Sequence, residues 1–129
     1  MSESILYVDD DRDDHEIFVE VVNSINPTTI VYCTEEAKMA LALLRKLPIL
    51  PQLIFLDMNM PMMNGLDFLR EVRNESKFES IRIVVFTTSL RRQDEQECLR
   101  LGATDYIVKP SSFSSMQEEL LKFISPLST

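Results

Sequence analysis

The run Leu53-Ile54-Phe55-Leu56 is wholly apolar and is followed at once by the carboxylate of Asp57. A strand with one solvent-exposed face alternates apolar and polar residues. An unbroken apolar run is instead typical of a strand covered on both faces, as in a parallel sheet. Four other short runs rich in branched and aromatic residues share this character, at residues 5–8, 30–33, 83–86 and 106–108. The sequence therefore predicts five buried parallel strands, of which residues 53–56 form the third.

Helical patterns fill the intervals between these runs. They cover residues 13–24, 35–47, 65–74, 92–101 and 113–124. Thr34 is the expected cap of the second helix, and Ile17 and Phe113 are expected on the buried faces of the first and the last. The fourth helix has few apolar residues and is expected to be less firmly anchored. Five strand-to-helix alternations joined by right-handed crossovers predict an α/β fold, a doubly wound parallel sheet with helices on both faces.

The composition limits both the size of the fold and its partners. The 129 residues suffice for one hydrophobic core, so we expect a single domain over residues 1–129 and no output domain. The net charge of −8 disfavours binding to nucleic acid or anionic lipid, and two glycines are too few for a dinucleotide or P-loop phosphate cradle. No apolar run approaches the roughly 20 residues that cross a bilayer, and Cys33 and Cys98 lack metal-site or redox-motif spacing. A cytoplasmic location is expected.

Polar residues follow the predicted strands at the point where each strand ends. In open α/β sheets the ligand crevice lies beyond the carboxyl ends of the strands, so these side chains are expected to share one crevice. The residues are Asp9, Asp10 and Asp11 after the first strand, Asp57 after the third, Thr87 and Thr88 after the fourth, and Lys109 after the fifth.

Carboxylates gathered in one crevice repel each other, and a divalent cation is the simplest relief of that repulsion. Hard oxygen ligands too few for an all-protein cage suit Mg²⁺, which keeps several waters and accepts a phosphoryl oxygen. A carboxylate beside such an ion can attack a phosphoryl group, and Asp57 is the predicted nucleophile. The ammonium of Lys109 and the hydroxyl of Thr87 are expected to stabilise the transferring group.

These residues lie within motifs that resemble the receiver domains of bacterial response regulators, the CheY-like proteins of two-component phosphorelay signalling. The likeness covers essentially the whole chain and implies a flavodoxin-like (βα)5 fold with the sheet order 2-1-3-4-5. It rests on Leu6-Tyr7-Val8-Asp9-Asp10, Leu53-Ile54-Phe55-Leu56-Asp57-Met58-Asn59-Met60-Pro61, Asn64-Gly65, Val85-Phe86-Thr87-Thr88 and Tyr106-Ile107-Val108-Lys109-Pro110.

The resemblance implies a signalling switch rather than an enzyme with an external substrate. Asp57 would accept a phosphoryl group from a sensor histidine kinase or a histidine phosphotransfer protein. Mg²⁺ would be bound by the carboxylates of Asp10 and Asp57, by the backbone carbonyl of Asn59, and by Asp9 through water. A cis bond before Pro110 would aim Lys109 into the crevice.

The resemblance also implies how the signal is read. Phosphorylation would draw Thr87 toward the phosphate, and Tyr106 would turn into the vacated space. The face made by helix four, strand five and helix five would then change its preference for a downstream protein. We expect a monomer or a weak transient dimer.

Two other functions are weighed against this one. A haloacid-dehalogenase-type phosphatase also uses an Asp nucleophile and Mg²⁺, but needs a second Asp two residues later, where this chain has Asn59. A receiver-like interaction module that ignores phosphorylation is the other alternative. The nearby Asp13, Asp14 and Glu16 are interpreted as a solvated helix start, and the lone His15 as a surface or satisfied residue.

Overall fold

The computed structural model describes residues 3–58, 60, 63–88 and 90–127. Its strands are β1 (Ser4–Val8), β2 (Ile30–Thr34), β3 (Leu53–Leu56), β4 (Arg82–Thr87) and β5 (Asp105–Val108). Its helices are α1 (Arg12–Ile25), α2 (Ala37–Lys46), α3 (Gly65–Asn74), α4 (Arg92–Arg100) and α5 (Phe113–Leu120), with a 3₁₀ turn at Ser76–Phe78. The predicted alternation of strand and helix is therefore confirmed.

The five strands form one parallel sheet in the order β2-β1-β3-β4-β5, which confirms the flavodoxin-like topology. The central strands β1, β3 and β4 are buried over nearly their whole length. The edge strands are not, and Ile30 in β2 and Val108 in β5 are 47% and 40% exposed. The prediction that all five strands are buried on both faces is therefore correct for β1, β3 and β4. It is wrong for the edge strands β2 and β5, each of which has a neighbouring strand on one side only.

Helices cover both faces of the sheet and enclose two apolar layers. On one face α1 and α5 pack through Phe18, Val22 and Leu120 against alternate residues of the central strands. On the other face α2, α3 and α4 pack against the remaining residues of the same strands. The two layers follow from the period of two along each buried strand, which sends successive side chains to opposite faces.

The helices differ from prediction in three respects. Helix α2 begins after Glu36 without a side-chain cap, and Thr34 ends β2 instead of capping the helix. Ile17 and Phe113 are both more than 40% exposed. Ile17 lies at the border of the apolar face of α1, and Phe113 is the first residue of α5. Helix α5 ends at Leu120 and not at residue 124, although Ile124 beyond it is still buried.

Within residues 3–58, 60, 63–88 and 90–127 no peptide bond is cis, so the expectation for Pro110 is wrong. The Lys109 N–H donates to the Thr87 carbonyl at 2.7 Å and so extends the β4–β5 ladder by one residue. Lys109 therefore reaches the crevice although the bond before Pro110 is trans. None of the described helices is both long enough and apolar enough to cross a bilayer.

Candidate functional site

Backbone hydrogen bonds beyond the strand ends bring the predicted site residues to one edge of the sheet. The Asp57 N–H donates to the Val8 carbonyl at 2.9 Å, and the Asp9 N–H donates to the Thr34 carbonyl at 3.1 Å. These bonds continue the parallel ladders by one residue, so the side chains that follow β1 and β3 lie next to each other. Asp9 and Asp57 therefore lie side by side at the carboxyl ends of β1 and β3.

Three carboxylates meet in this crevice. Asp9, Asp10 and Asp57 each have an oxygen within 4.8 Å of an oxygen of the other two. Asp9 and Asp57 are buried, whereas Asp10 is exposed. Clustered hard oxygens with an open, solvent-facing side fit a partly hydrated Mg²⁺ ion, so the donor set agrees with the predicted metal. The fourth predicted ligand, Asn59, lies outside the described residues.

Lys109 reaches this cluster from β5 and has two carboxylate partners. Its Nζ lies 2.6 Å from Oδ2 of Asp9 and 2.9 Å from Oδ2 of Asp14 on α1. Burial favours the neutral amine, but the hydrogen bonds to Asp9 and Asp14 and the charge of Asp57 outweigh it and raise the pKa of Lys109 above its usual value. The ammonium is therefore charged and held at the site.

Asp14 corrects the interpretation of α1 as a solvated start. Asp13 and Glu16 are exposed as expected, but Asp14 is half-buried and paired with Lys109. The sequence did contain a hint of this position. Asp14 lies about one helical turn after Asp10 and Asp11, a spacing that places it on the same side of the helix start, toward the crevice. Its partner, 95 residues away, was not readable from the sequence.

Asp9 is surrounded by donors. The Tyr7 hydroxyl donates to Oδ2 at 2.7 Å and the Asp11 N–H donates to Oδ1 at 3.0 Å, in addition to Lys109. Burial alone would raise the pKa of Asp9, but these donors outweigh it, with Lys109 the strongest of them, and the pKa lies below its usual value. Burial, followed by the charge and hydrogen bond of Asp9, raises the pKa of Tyr7, which stays a phenol.

His15 is a satisfied residue, in line with the interpretation from sequence. Its Nε2 lies 2.5 Å from the Asp9 carbonyl, to which it donates in the appropriate tautomer, and its ring meets that of Tyr7 edge-on with centroids 5.5 Å apart. The Tyr7 contact with Asp9 was missed from the sequence. It follows from strand geometry, because residues two apart on one strand point to the same face.

The two predicted switch residues lie on neighbouring strands. Thr87 ends β4 and is completely buried, whereas Tyr106 is half-buried on β5. Tyr106 lines a cavity of about 650 Å³ between α3 and α4, together with Met58 and Cys98. Thr88, also considered at this strand end, is exposed.

Comparisons with known proteins agree with this geometry. The family model of the response regulator receiver domain matches residues 5–121. The chain is 36% identical over 106 residues to an uncharacterized 14.6 kDa protein from the sodA1 3′ region of Leptolyngbya boryana, covering 82% of this chain and 78% of that protein. It is 38% identical over 69 residues to the chemotaxis protein CheY1 of Helicobacter pylori, covering 54% of this chain and 56% of CheY1, so that match spans about half of each.

A solved structure extends the likeness to three dimensions. The crystal structure of the phosphorylated cyanobacterial phytochrome response regulator RcpA superposes with a TM-score of 0.85 at 25% identity, covering 93% of this chain and 89% of that one. The match of the family model spans nearly all of the sheet and helices described above. The chain belongs to the response regulator receiver domains, the CheY-like switches of two-component signalling.

Proposed function

We propose that this receiver accepts a phosphoryl group on Asp57 in the presence of Mg²⁺, from the phosphohistidine of a sensor histidine kinase or a histidine phosphotransfer protein. The observation that carries the proposal is the cluster of Asp9, Asp10 and Asp57 within 4.8 Å, with the ammonium of Lys109 against it. A crevice with carboxylate oxygens for a metal and a half-buried cation beside them is suited to a transferring phosphoryl group.

The chemistry follows from the roles of these residues. An Asp57 oxygen forms the P–O bond while the P–N bond to the donor histidine breaks, and the imidazole nitrogen leaves with that electron pair. Asp10 and Asp57 would hold the metal through carboxylates, Asn59 through its carbonyl and Asp9 through water. When bound, the metal neutralises charge on the phosphoryl oxygens. Lys109 supplies the second positive charge, and Thr87 a hydroxyl that donates to the phosphoryl group.

The output we propose is a change of the surface made by α4, β5 and α5, which binds a downstream protein. Thr87 would move toward the phosphoryl group and Tyr106 would turn inward. The cavity beside Tyr106 and the single buried residue of α4, Cys98, support a rearrangement at this place. The cytoplasmic location and the monomeric or weakly dimeric state stay predictions.

The decisive experiment is incubation with a small phosphodonor, with and without Mg²⁺, followed by intact-mass spectrometry. We expect one added phosphoryl group with Mg²⁺, little without it, and none in Asp57→Asn. Asp13→Asn, which removes an exposed carboxylate on the adjacent helix, is the matched control and should be labelled like the wild type. Labelling that persists in Asp57→Asn would refute the proposed acceptor, and turnover of an external phosphomonoester would favour the phosphatase.

A further inference from the structure

Lys109 has a carboxylate partner outside the acidic cluster, and this partner carries a further role. The Lys109 ammonium lies between Asp9, at 2.6 Å, and Asp14, at 2.9 Å. We propose that Asp14 is a positioning residue, which holds Lys109 toward α1 before phosphorylation and releases it when a phosphoryl group on Asp57 attracts the ammonium. This inference rests on the proposed function of Asp57.

The first turn of α1 presents Asp14 from a defined position. Asp11 caps the helix, and its Oδ1 accepts from the N–H groups of Asp13 at 2.9 Å and of Asp14 at 3.4 Å. Side-chain capping restrains the backbone of the first turn, and the helix dipole favours a carboxylate there. The Asp14 carboxylate therefore lies against Lys109 because of the helix start, not because of a flexible loop.

The two carboxylate partners of Lys109 differ in how strongly each would be destabilised by losing contact with the ammonium. Asp9 is 1% exposed, and a buried carboxylate that loses a cation is strongly destabilised. The side chain of Asp14 is 34% exposed, so water can take the place of the ammonium. When a phosphoryl group competes for Lys109, Asp14 is thus the partner that separates.

Asp14 also acts on the phosphoryl group by its charge. Its attraction for Lys109 stabilises the unphosphorylated state, and its negative charge lies on the Lys109 side of the crevice, where phosphoryl oxygens would be repelled. Both effects oppose phosphorylation. Neutralising Asp14 should therefore shift the balance toward the phosphorylated form, by more than neutralising an unpaired carboxylate of the same turn.

The test uses beryllofluoride, a tetrahedral mimic of a phosphoryl group, titrated with Mg²⁺ into the full chain. The affinity is measured by NMR for the wild type, Asp14→Asn and the matched control Asp13→Asn. We expect Asp14→Asn to bind the mimic about 2- to 5-fold more tightly, the range for one partly exposed ion pair, and Asp13→Asn to gain less than half of that. Asp14→Glu should restore the wild-type affinity.

The ¹⁵N signal of the Lys109 ammonium gives a readout that a merely structural role would not move. Without the mimic, the signal should differ between the wild type and Asp14→Asn and be unchanged in Asp13→Asn. With the mimic bound, the signals of the wild type and Asp14→Asn should coincide, because Asp14 no longer contacts Lys109. A difference that persists in the bound state would refute the release of Asp14.

The remaining outcomes separate this inference from the proposed function. Weaker binding by Asp14→Asn would show that Asp14 assists the bound state, and equal gains in both Asn variants would reduce the effect to general electrostatics; either result overturns the proposal. If the wild type does not bind the mimic with Mg²⁺ at all, the acceptor function itself is rejected, and the release step with it. If the wild type binds the mimic but the Lys109 signals are identical in all variants, only the proposed role of Asp14 is refuted.

Discussion

Helices α1 and α4 cover opposite faces of the same sheet and are anchored to very different degrees. Helix α1 buries four apolar side chains and is capped by the carboxylate of Asp11. Helix α4 buries Cys98 alone, and Arg91 at its start makes no side-chain cap. Because helices in proteins are stabilised mainly by packing an apolar face, α1 is a fixed wall of the site and α4 is its adaptable wall.

The two helices contribute differently to the site. The α1 side supplies the restrained carboxylate of Asp14 and packs against Tyr7, which in turn holds Asp9. The α4 side adjoins the cavity next to Tyr106. The proposed switch needs both kinds of wall, because it would hold charges in place while transmitting a change, and marginally held elements are the ones that rearrange.

The largest effect is expected for Phe18→Ala, which tests the anchoring of α1. Phe18 is completely buried and stacks on Tyr7, with ring centroids 4.2 Å apart. Removing a buried phenyl ring should lower the free energy of unfolding by about 3–5 kcal/mol, through lost burial and the cavity left behind. Urea denaturation followed by circular dichroism measures the loss.

The matched control for this prediction is Leu99→Ala on α4. Leu99 is 43% exposed, so its truncation should change the free energy of unfolding by no more than about 0.5 kcal/mol. Similar losses in the two variants would mean that α4 is anchored as firmly as α1, and the comparison would not hold.

A smaller effect is expected for Asp11→Ala, which removes the cap of α1. The Asp11 carboxylate accepts the N–H of Asp13 at 2.9 Å, and losing such a cap typically costs about 1 kcal/mol. Glu36→Ala is the control, because Glu36 precedes α2 without a side-chain cap and is exposed. Equal urea midpoints for Asp11→Ala and the wild type would show that packing alone holds α1.

The order of elements was predictable because apolar runs and helical periods are local signals. Strand β3 and helix α3 have the predicted bounds, and other elements differ mostly by one or two residues. The errors arise where tertiary context decides. Thr34 is drawn into β2 by pairing with Val8, and Phe113 is left partly exposed at the first position of α5.

The candidate site shows the same limit. Asp9, Asp10, Asp57 and Lys109 could be found because each follows a strand, and parallel topology brings strand ends together. Asp14 follows no strand, and its partner Lys109 lies 95 residues later in the chain, just beyond the end of β5. A solvated acid at a helix start and an ion-paired one can have the same local sequence, so only the fold shows that Asp14 is paired with Lys109.

The smallest effect is expected for Cys98→Ala, which removes the single buried side chain of α4. Burial, followed by the charges of Asp94 and Glu97, raises the pKa of the Cys98 thiol to about 11, so at neutral pH it packs as a small neutral group. Its sulfur lies 3.8 Å from that of Met58, and its loss should lower the free energy of unfolding by about 1 kcal/mol or less. Amide hydrogen exchange in the same variant should speed up in α4 and stay unchanged in α1, because only the local opening of α4 becomes easier. A loss comparable to that of Phe18→Ala would instead make Cys98 a firm anchor, and α4 could not serve as the adaptable wall.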